Sequence, residues 1–165
     1  MSPLEVLIRE RIAKTGPIPV AGFMELALGH PEYGYYMTED PFGTKGDFIT
    51  APEISQVFGE LIGLWAAVTW QQLGSPDRLI VIECGPGRGT LMNDLLRAAK
   101  SVPDFHKAIE IHLVETSPAM RRRQKATLSG DAPTWHDTIT TVPAGPTILV
   151  ANEFLDALPI HQFVM

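Results

Sequence analysis

An acid and three alternate glycines, Glu83-Cys84-Gly85-Pro86-Gly87-Arg88-Gly89, stand between the apolar run Leu79-Ile80-Val81-Ile82 and a helical pattern that begins at Leu91. A glycine has no Cβ, so the backbone here can bend sharply or lie against a ligand, and the helix that follows offers unpaired N–H groups to it. Spacing narrows the ligand. A dinucleotide fingerprint needs glycine at the first, third and sixth positions, but the sixth from Gly85 is Thr90 and the sixth from Gly87 is Met92. No Gly-Lys-Ser/Thr closes a phosphate loop either. Turn glycines with no ligand are the plain alternative.

Other polar side chains fall where apolar runs end. Glu115 follows Ile109 to Val114, Asp137 follows Pro133-Thr134-Trp135-His136, and Asn152 follows Thr147 to Ala151. Ligands of doubly wound sheets bind outside the carboxyl ends of the strands, so Gly85, Glu115, Asp137 and Asn152 are expected to face one crevice. Glu115 there could accept both ribose hydroxyls of a nucleoside, or be a solvated loop acid. Glu153 and Asp156 are three apart and share a face if a helical turn follows the strand. With Asn152 they could equally cap that turn. Cys84 reads as a small packing residue with no histidine partner placed by sequence. The histidines show no His-Glu-x-x-His spacing, and no metal is expected.

These residues need elements to hold them. Ser2-Pro3-Leu4-Glu5 predicts a capped helix start that ends before Gly16, and Val20 to Leu28 a second, short helix packing on the first. A long segment rich in Gly, Pro and aromatics follows, from Pro31 to Pro52, of a length that is uncommon without a function. Thr50 to Glu53 reads as another capping box, opening one helix to Gly74 with Ile54, Val57, Phe58, Leu61, Trp65 and Val68 on its apolar stripe. Strands are predicted over the apolar run that opens at Leu79 and at 109–115, 133–137 and 147–151, with helices after Gly89 and Ser117-Pro118. Lys100 to His106, broken by Pro103, is expected to be a connection, and Ile160 to Met165 the beginning of a further strand. Arg121, Arg122, Arg123 and Lys125 are best read as a solvated helix face.

Composition bounds the class. The chain has 165 residues, enough for one domain, with 45% hydrophobic residues, and its net charge of −6 argues against non-specific nucleic-acid binding. One cysteine excludes an internal disulfide framework. No apolar run approaches a membrane span, and no secretory or transit pattern opens the chain.

Glu83-x-Gly85-x-Gly87-x-Gly89 resembles the first motif of class I S-adenosylmethionine-dependent methyltransferases. Together with Gly46-Asp47-Phe48-Ile49-Thr50-Ala51-Pro52-Glu53 and Asn152-Glu153-Phe154-Leu155-Asp156-Ala157-Leu158-Pro159, it is similar to the MidA-like family, bacterial and mitochondrial protein-arginine methyltransferases linked to respiratory complex I assembly. The resemblance implies an α/β fold of the class I, Rossmann-like kind with an N-terminal helical cap. It divides the chain into a cap and aromatic, Gly-rich loop at 1–52 and a cofactor domain at 53–165. It implies S-adenosylmethionine as cofactor, held by Glu83, Gly85, Pro86, Gly87, Gly89, Glu115, Asp137 and Asn152. The loop would lie along the methionine moiety, Glu83 would help place its ammonium, and Asp137 would take the adenine amino group. Arginine stays protonated, so carboxylates must grip it and favour loss of a proton. Asp47, Glu153 and Asp156 are the candidates.

The resemblance implies a protein substrate, a complex I subunit among the candidates, and a location in the cytoplasm of a bacterium or the mitochondrial matrix of a eukaryote. A class I sheet usually has seven strands and four are legible, so an N-terminal part of a longer domain is expected, unstable alone or associating through its open edge. A non-catalytic nucleoside-binding scaffold module is the alternative function, and the failed glycine count disfavours a nicotinamide-dependent oxidoreductase.

Overall fold

Leu79 to Cys84 form a strand, β1, in which all six residues are buried, the mark of a parallel strand covered on both faces. The structure, a computed structural model, describes residues 1–38 and 49–163. Beside β1 it contains strands β2 (Ile109–Val114), β3 (Thr134–His136) and β4 (Thr147–Val150). Its helices are α1 (Pro3–Thr15), α2 (Val20–Gly29), α3 (Tyr35–Thr38), α4 (Ala51–Ile54), α5 (Gln56–Gln72), α6 (Thr90–Ala99), α7 (Pro103–Ala108) and α8 (Pro118–Thr127). Two compact units result: Met1–Pro41 with Glu153–Met165, and Phe42–Asn152.

The second unit carries the sheet, in the order β3-β2-β1-β4 and parallel throughout. Cys84 pairs with Val114, Val114 with His136, and Glu83 with Val150, so all four strands end at one level. Strand order reverses beside β1, which makes its carboxyl end a switch point where such sheets open a crevice. One sheet face, through Leu79, Val81, Leu113 and Ile148, shares a buried core with Leu91, Leu95 and Leu96 of α6 and Phe105 of α7. At the opposite edge Arg78 donates to both carboxylate oxygens of Glu110, at 2.8 and 2.7 Å, and to the carbonyl of Ala144 at 3.2 Å, joining three segments.

Four local expectations change. Pro103 starts a helix instead of breaking one, because a proline at the first helical position loses no hydrogen bond; α7 then buries Phe105 completely. The helix expected from Thr50 to Gly74 is interrupted at Ser55, which is extended at φ −149° and whose Oγ accepts the Val57 N–H at 3.3 Å. Thr50 makes no side-chain cap. Residues 160–163 form no strand, having no ladder partner among the described residues.

The apolar stripe of α5 also faces outward: Val57, Leu61, Trp65 and Val68 are each more than half exposed. The buried side is Gly59, Gly63, Ala66, Ala67 and Trp70. Small residues let α5 approach α6 so closely that a Cβ at Gly63 would stand 2.5 Å from the Leu95 carbonyl oxygen, and one at Gly59 2.6 Å from Asp94 Cβ. Trp70 completes this side, its Nε1 donating to the Pro76 carbonyl at 2.8 Å.

In the first unit the Ser2 Oγ accepts the Glu5 N–H at 3.1 Å, as a cap should, while the Glu5 carboxylate turns to Arg9 at 2.9 Å. No helix among the described residues is long and apolar enough to cross a membrane.

Candidate functional site

The glycine loop leaves β1 with Gly85 at φ 63°, Gly87 at 53° and Gly89 at 83°, all in the left-handed region that a side chain disfavours. The Gly89 N–H closes a turn on the Pro86 carbonyl at 2.8 Å, and Gly89 then serves as the N-cap of α6 without a side chain to do the capping. Two acids hold the start of α6, one at a backbone N–H and one at a side chain. Glu83, 3% exposed beneath the loop, accepts the Met92 N–H from the first turn of α6. Glu53 of α4 accepts the Thr90 hydroxyl at 2.6 Å and lies 3.8 Å from Arg88. The expected Thr50–Glu53 capping box is therefore replaced by a tie between α4 and the start of α6.

Burial pushes the Glu83 carboxyl up to about 8, against the Met92 N–H that favours its ionised form. Its Oε2 has no hydrogen-bond partner among the described residues. Cys84 is buried and its thiol is raised by burial first and by Glu83 second, which makes it a poor nucleophile.

Glu115 stands at the end of β2, half-buried. Its Oε1 accepts the Ser117 N–H at 2.8 Å and its Oε2 the Gln124 Nε2 at 3.1 Å. Burial raises this carboxyl, while those donors, the Thr116 N–H and the Arg121 charge pull it back. These anchors overturn the reading of Glu115 as a solvated loop acid. Asp137, at the end of β3, accepts from Arg121 Nη2 at 2.7 Å with its side chain 80% exposed. Arg121 also donates from Nε, at 2.7 Å, and from Nη2 to the Glu115 carbonyl, so it bridges the ends of β2 and β3. Of the basic run, this residue is structural.

Glu83, Gly85, Pro86, Gly87, Gly89, Glu115, Asp137 and Asn152 all lie within the Phe42–Asn152 unit, and the loop, Glu115, Asp137 and Asn152 share the carboxyl edge of the sheet. Glu153 and Asp156 belong to the other unit. The shared helical face expected of them is not formed, because Glu153 sits at φ 48° and Asp156 in a separate 3-10 turn, Leu155–Ala157. No side chain caps that turn. The Asp156 charge instead adds to burial in raising the Tyr36 hydroxyl. Asp47, with Gly46 and Phe48, lies outside the described residues.

Sequence reasoning missed Gln124. It is fully buried, and its Nε2 also donates to the Gly87 carbonyl at 2.8 Å while its Oε1 accepts the Trp135 Nε1–H at 2.8 Å. The signal was present: Ser117, Met120, Gln124 and Leu128 recur at helical spacing and are all buried, so Gln124 is the long polar residue on an inward face. No group of three or more His, Cys, Asp or Glu among the described residues could hold a metal ion.

Residues 61–165 match a family model described as "Putative S-adenosyl-L-methionine-dependent methyltransferase". Among curated proteins, the chain is 41% identical to the mitochondrial protein arginine methyltransferase NDUFAF7 homolog of Drosophila melanogaster, over 94% of this chain and 40% of that protein. It is 38% identical to the mitochondrial protein arginine methyltransferase NDUFAF7 of Homo sapiens, over 98% of this chain and 43% of that one. The chain thus spans about two fifths of the length of the curated relatives it matches. A crystal structure of a COG1565 superfamily member from Burkholderia thailandensis, bound to S-adenosyl-homocysteine, superposes with a TM-score of 0.78 at 31% identity, covering 94% of this chain and 42% of that one.

Proposed function

The chain belongs to the MidA-like family of S-adenosylmethionine-dependent methyltransferases, and from that membership we propose that it holds S-adenosylmethionine at the carboxyl edge of its sheet and serves methylation of arginine on a protein. The observation that carries the reading is the pairing of a left-handed glycine loop at the end of β1 with an anchored carboxylate at the end of β2. The residues present fit the group: Glu115 is held by Ser117 at one oxygen and Gln124 at the other, with the Thr116 N–H beside it, and keeps acceptor capacity toward a vicinal diol, while Glu83 Oε2 beneath the loop is a buried oxygen with no hydrogen-bond partner among the described residues.

In this reading Gly85, Pro86, Gly87 and Gly89 keep side chains clear of the methionine portion, Glu83 helps hold its ammonium, and Glu115 accepts the ribose hydroxyls. Asp137, already paired with Arg121, accepts the adenine amino group with its remaining capacity, and Asn152 closes the edge. When bound, S-adenosylmethionine supplies a sulfonium methyl that passes to the acceptor nitrogen while sulfur keeps the bonding pair. The protein's part is chiefly orientation, which can lower a barrier by roughly 7–11 kcal/mol. Asp47, Glu153 and Asp156 are the acids assigned to grip the guanidinium and favour loss of its proton. A complex I subunit is the proposed acceptor, a second copy of the chain a proposed partner, and the mitochondrial matrix of a eukaryote or the cytoplasm of a bacterium the proposed location; the mitochondrial names of the curated relatives fit the eukaryotic branch.

Calorimetric titration with S-adenosylhomocysteine tests the cofactor. Charged hydrogen bonds are worth roughly 1.5–3 kcal/mol, so Glu115→Ala is expected to weaken binding about tenfold to a hundredfold. Equal affinity of the variant, or binding of NAD in its place, would overturn the site. For the acceptor half, Glu153→Gln and Asp156→Asn in the intact protein are expected to abolish methylation of an arginine substrate while leaving S-adenosylhomocysteine binding unchanged.

A further inference from the structure

We infer that Gln124 is a positioning residue for the cofactor site, its single amide setting both the crest of the glycine loop at Gly87 and the carboxylate of Glu115. The inference rests on the S-adenosylmethionine reading above and deepens it.

The amide can serve in only one orientation. The indole Nε1–H of Trp135 is a donor and nothing else, and the Gly87 carbonyl is an acceptor and nothing else. Trp135 therefore claims Oε1 at 2.8 Å, which turns Nε2 and its two hydrogens toward Gly87 at 2.8 Å and Glu115 Oε2 at 3.1 Å. A flipped amide would set like against like at all three contacts, with Gln124 itself fully buried. One side chain on α8 thus couples the end of β1, the end of β2 and β3.

Two consequences bear on a ligand. At the loop, Gln124 holds the Gly87 carbonyl and the Thr127 hydroxyl holds the Arg88 carbonyl at 2.9 Å, so both carbonyls turn toward α8. With no cis peptide bond among the described residues, the Arg88 N–H must point the other way, while the Gly89 N–H is kept on the Pro86 carbonyl. At the acid, the Ser117 N–H holds Oε1 and Gln124 holds Oε2, with the Thr116 N–H beside the Ser117 anchor, fixing the carboxylate plane while it keeps acceptor capacity. That is an acceptor pair matched to the two hydroxyls of a ribose. Without Gln124 the Oε2 end is released, the carboxylate is held only from the Thr116–Ser117 backbone and can turn about it, and the match to a diol is lost even though Glu115 is still present.

The readout is the preference for S-adenosylhomocysteine over its 2′-deoxy analogue, measured by titration calorimetry of the intact protein. A merely structural role for Gln124 would weaken both ligands alike. The wild type is expected to prefer the ribose form at least tenfold, and Gln124→Met, similar in length but unable to donate, to reduce that preference to within about threefold. Trp135→Phe keeps a ring in place and removes only the N–H that orients the amide, so it is expected to move the preference in the same direction by a smaller factor. If Gln124→Met does not fold, Trp135→Phe decides alone. Preference retained in the folded variants would overturn the role of Gln124 and leave the cofactor reading standing. A wild type that binds neither ligand would overturn the cofactor reading, and this inference with it.

Discussion

Burial favours the protonated form of the Glu83 carboxyl as long as no cation stands beside it, and that has a consequence for stability. Its folded value, about 8, lies above its ordinary 4.5, because burial opposes the charge. Below the ordinary value both folded and unfolded chains hold the proton, so the group favours neither. Between 4.5 and about 8 the unfolded chain loses it first, and each pH unit then costs the fold roughly 1.4 kcal/mol. Stability should fall as pH rises through this window and level off above it. Glu83→Gln keeps an oxygen for the Met92 N–H and cannot ionise; urea unfolding at pH 5, 6, 7 and 8 should show a flatter pH slope for the variant and a higher midpoint at pH 8. Parallel slopes would mean that Glu83 is hydrated after all. The glycines, Glu83 and Glu115 were legible as a candidate site because their chemistry is local: a missing Cβ or an acid at a strand end means the same in any chain. Gln124 and Glu53 were not, because what each does is set by a partner 37 residues away, Gly87 for one and Thr90 for the other.

At the scale of elements, α5 shows how large apolar residues can mislead. A helical pattern identifies a stripe by its bulkiest members, and Leu61 and Trp65 stand out, yet the side that packs is lined by Gly59, Gly63, Ala66 and Ala67 because the contact is nearly backbone to backbone. Gly63→Ala sets two effects against each other. Alanine favours a helix by up to about 1 kcal/mol over glycine. Its Cβ, however, would meet the Leu95 carbonyl oxygen at 2.5 Å, and backbone cannot move aside as a flexible side chain can. Overpacking of this kind costs about 1–3 kcal/mol, so the net effect should be destabilising. Leu61→Ala, at a position 60% exposed, should stay within about 0.5 kcal/mol. Chemical unfolding of the two variants ranks them. A neutral Gly63→Ala beside a damaging Leu61→Ala would mean that α5 packs through its bulky side. The strands and their parallel arrangement were readable because Leu79 to Ile82 are apolar without interruption and the runs after them recur across helical connections. The break at Ser55 was not, since a serine inside a helical pattern shows its capping preference only once the next helix has its own start.

At the scale of the whole molecule, every group assigned to the cofactor lies in the Phe42–Asn152 unit, although the chain's two ends build the other. Residue order alone does not display such a division, which depends on contacts distant in sequence. Ligand binding should therefore be felt unevenly. A ligand that binds only the folded state adds about 2.7 kcal/mol at a hundred times its dissociation constant. For a chain of this length that corresponds to a rise of roughly 5–10 °C in the unfolding midpoint. Amide exchange should slow at 85–89, 115–124 and 135–137 on adding S-adenosylhomocysteine and stay unchanged in α1. The molecule also offers a rival site, a cavity of about 310 Å³ lined by His106, Glu110, His112 and Asp131 near the opposite end of β2. It has polar groups but no glycine loop beside it. Burial and the neighbouring His136, 2.9 Å away, favour the neutral form of His112, so it offers little charge of its own near neutral pH. Protection appearing there, with residues 85–89 unchanged, would move the site to the other end of the sheet. Protection at the loop, with a midpoint that NAD does not raise, is what a switch point built around Gly85, Gly87 and Glu115 requires.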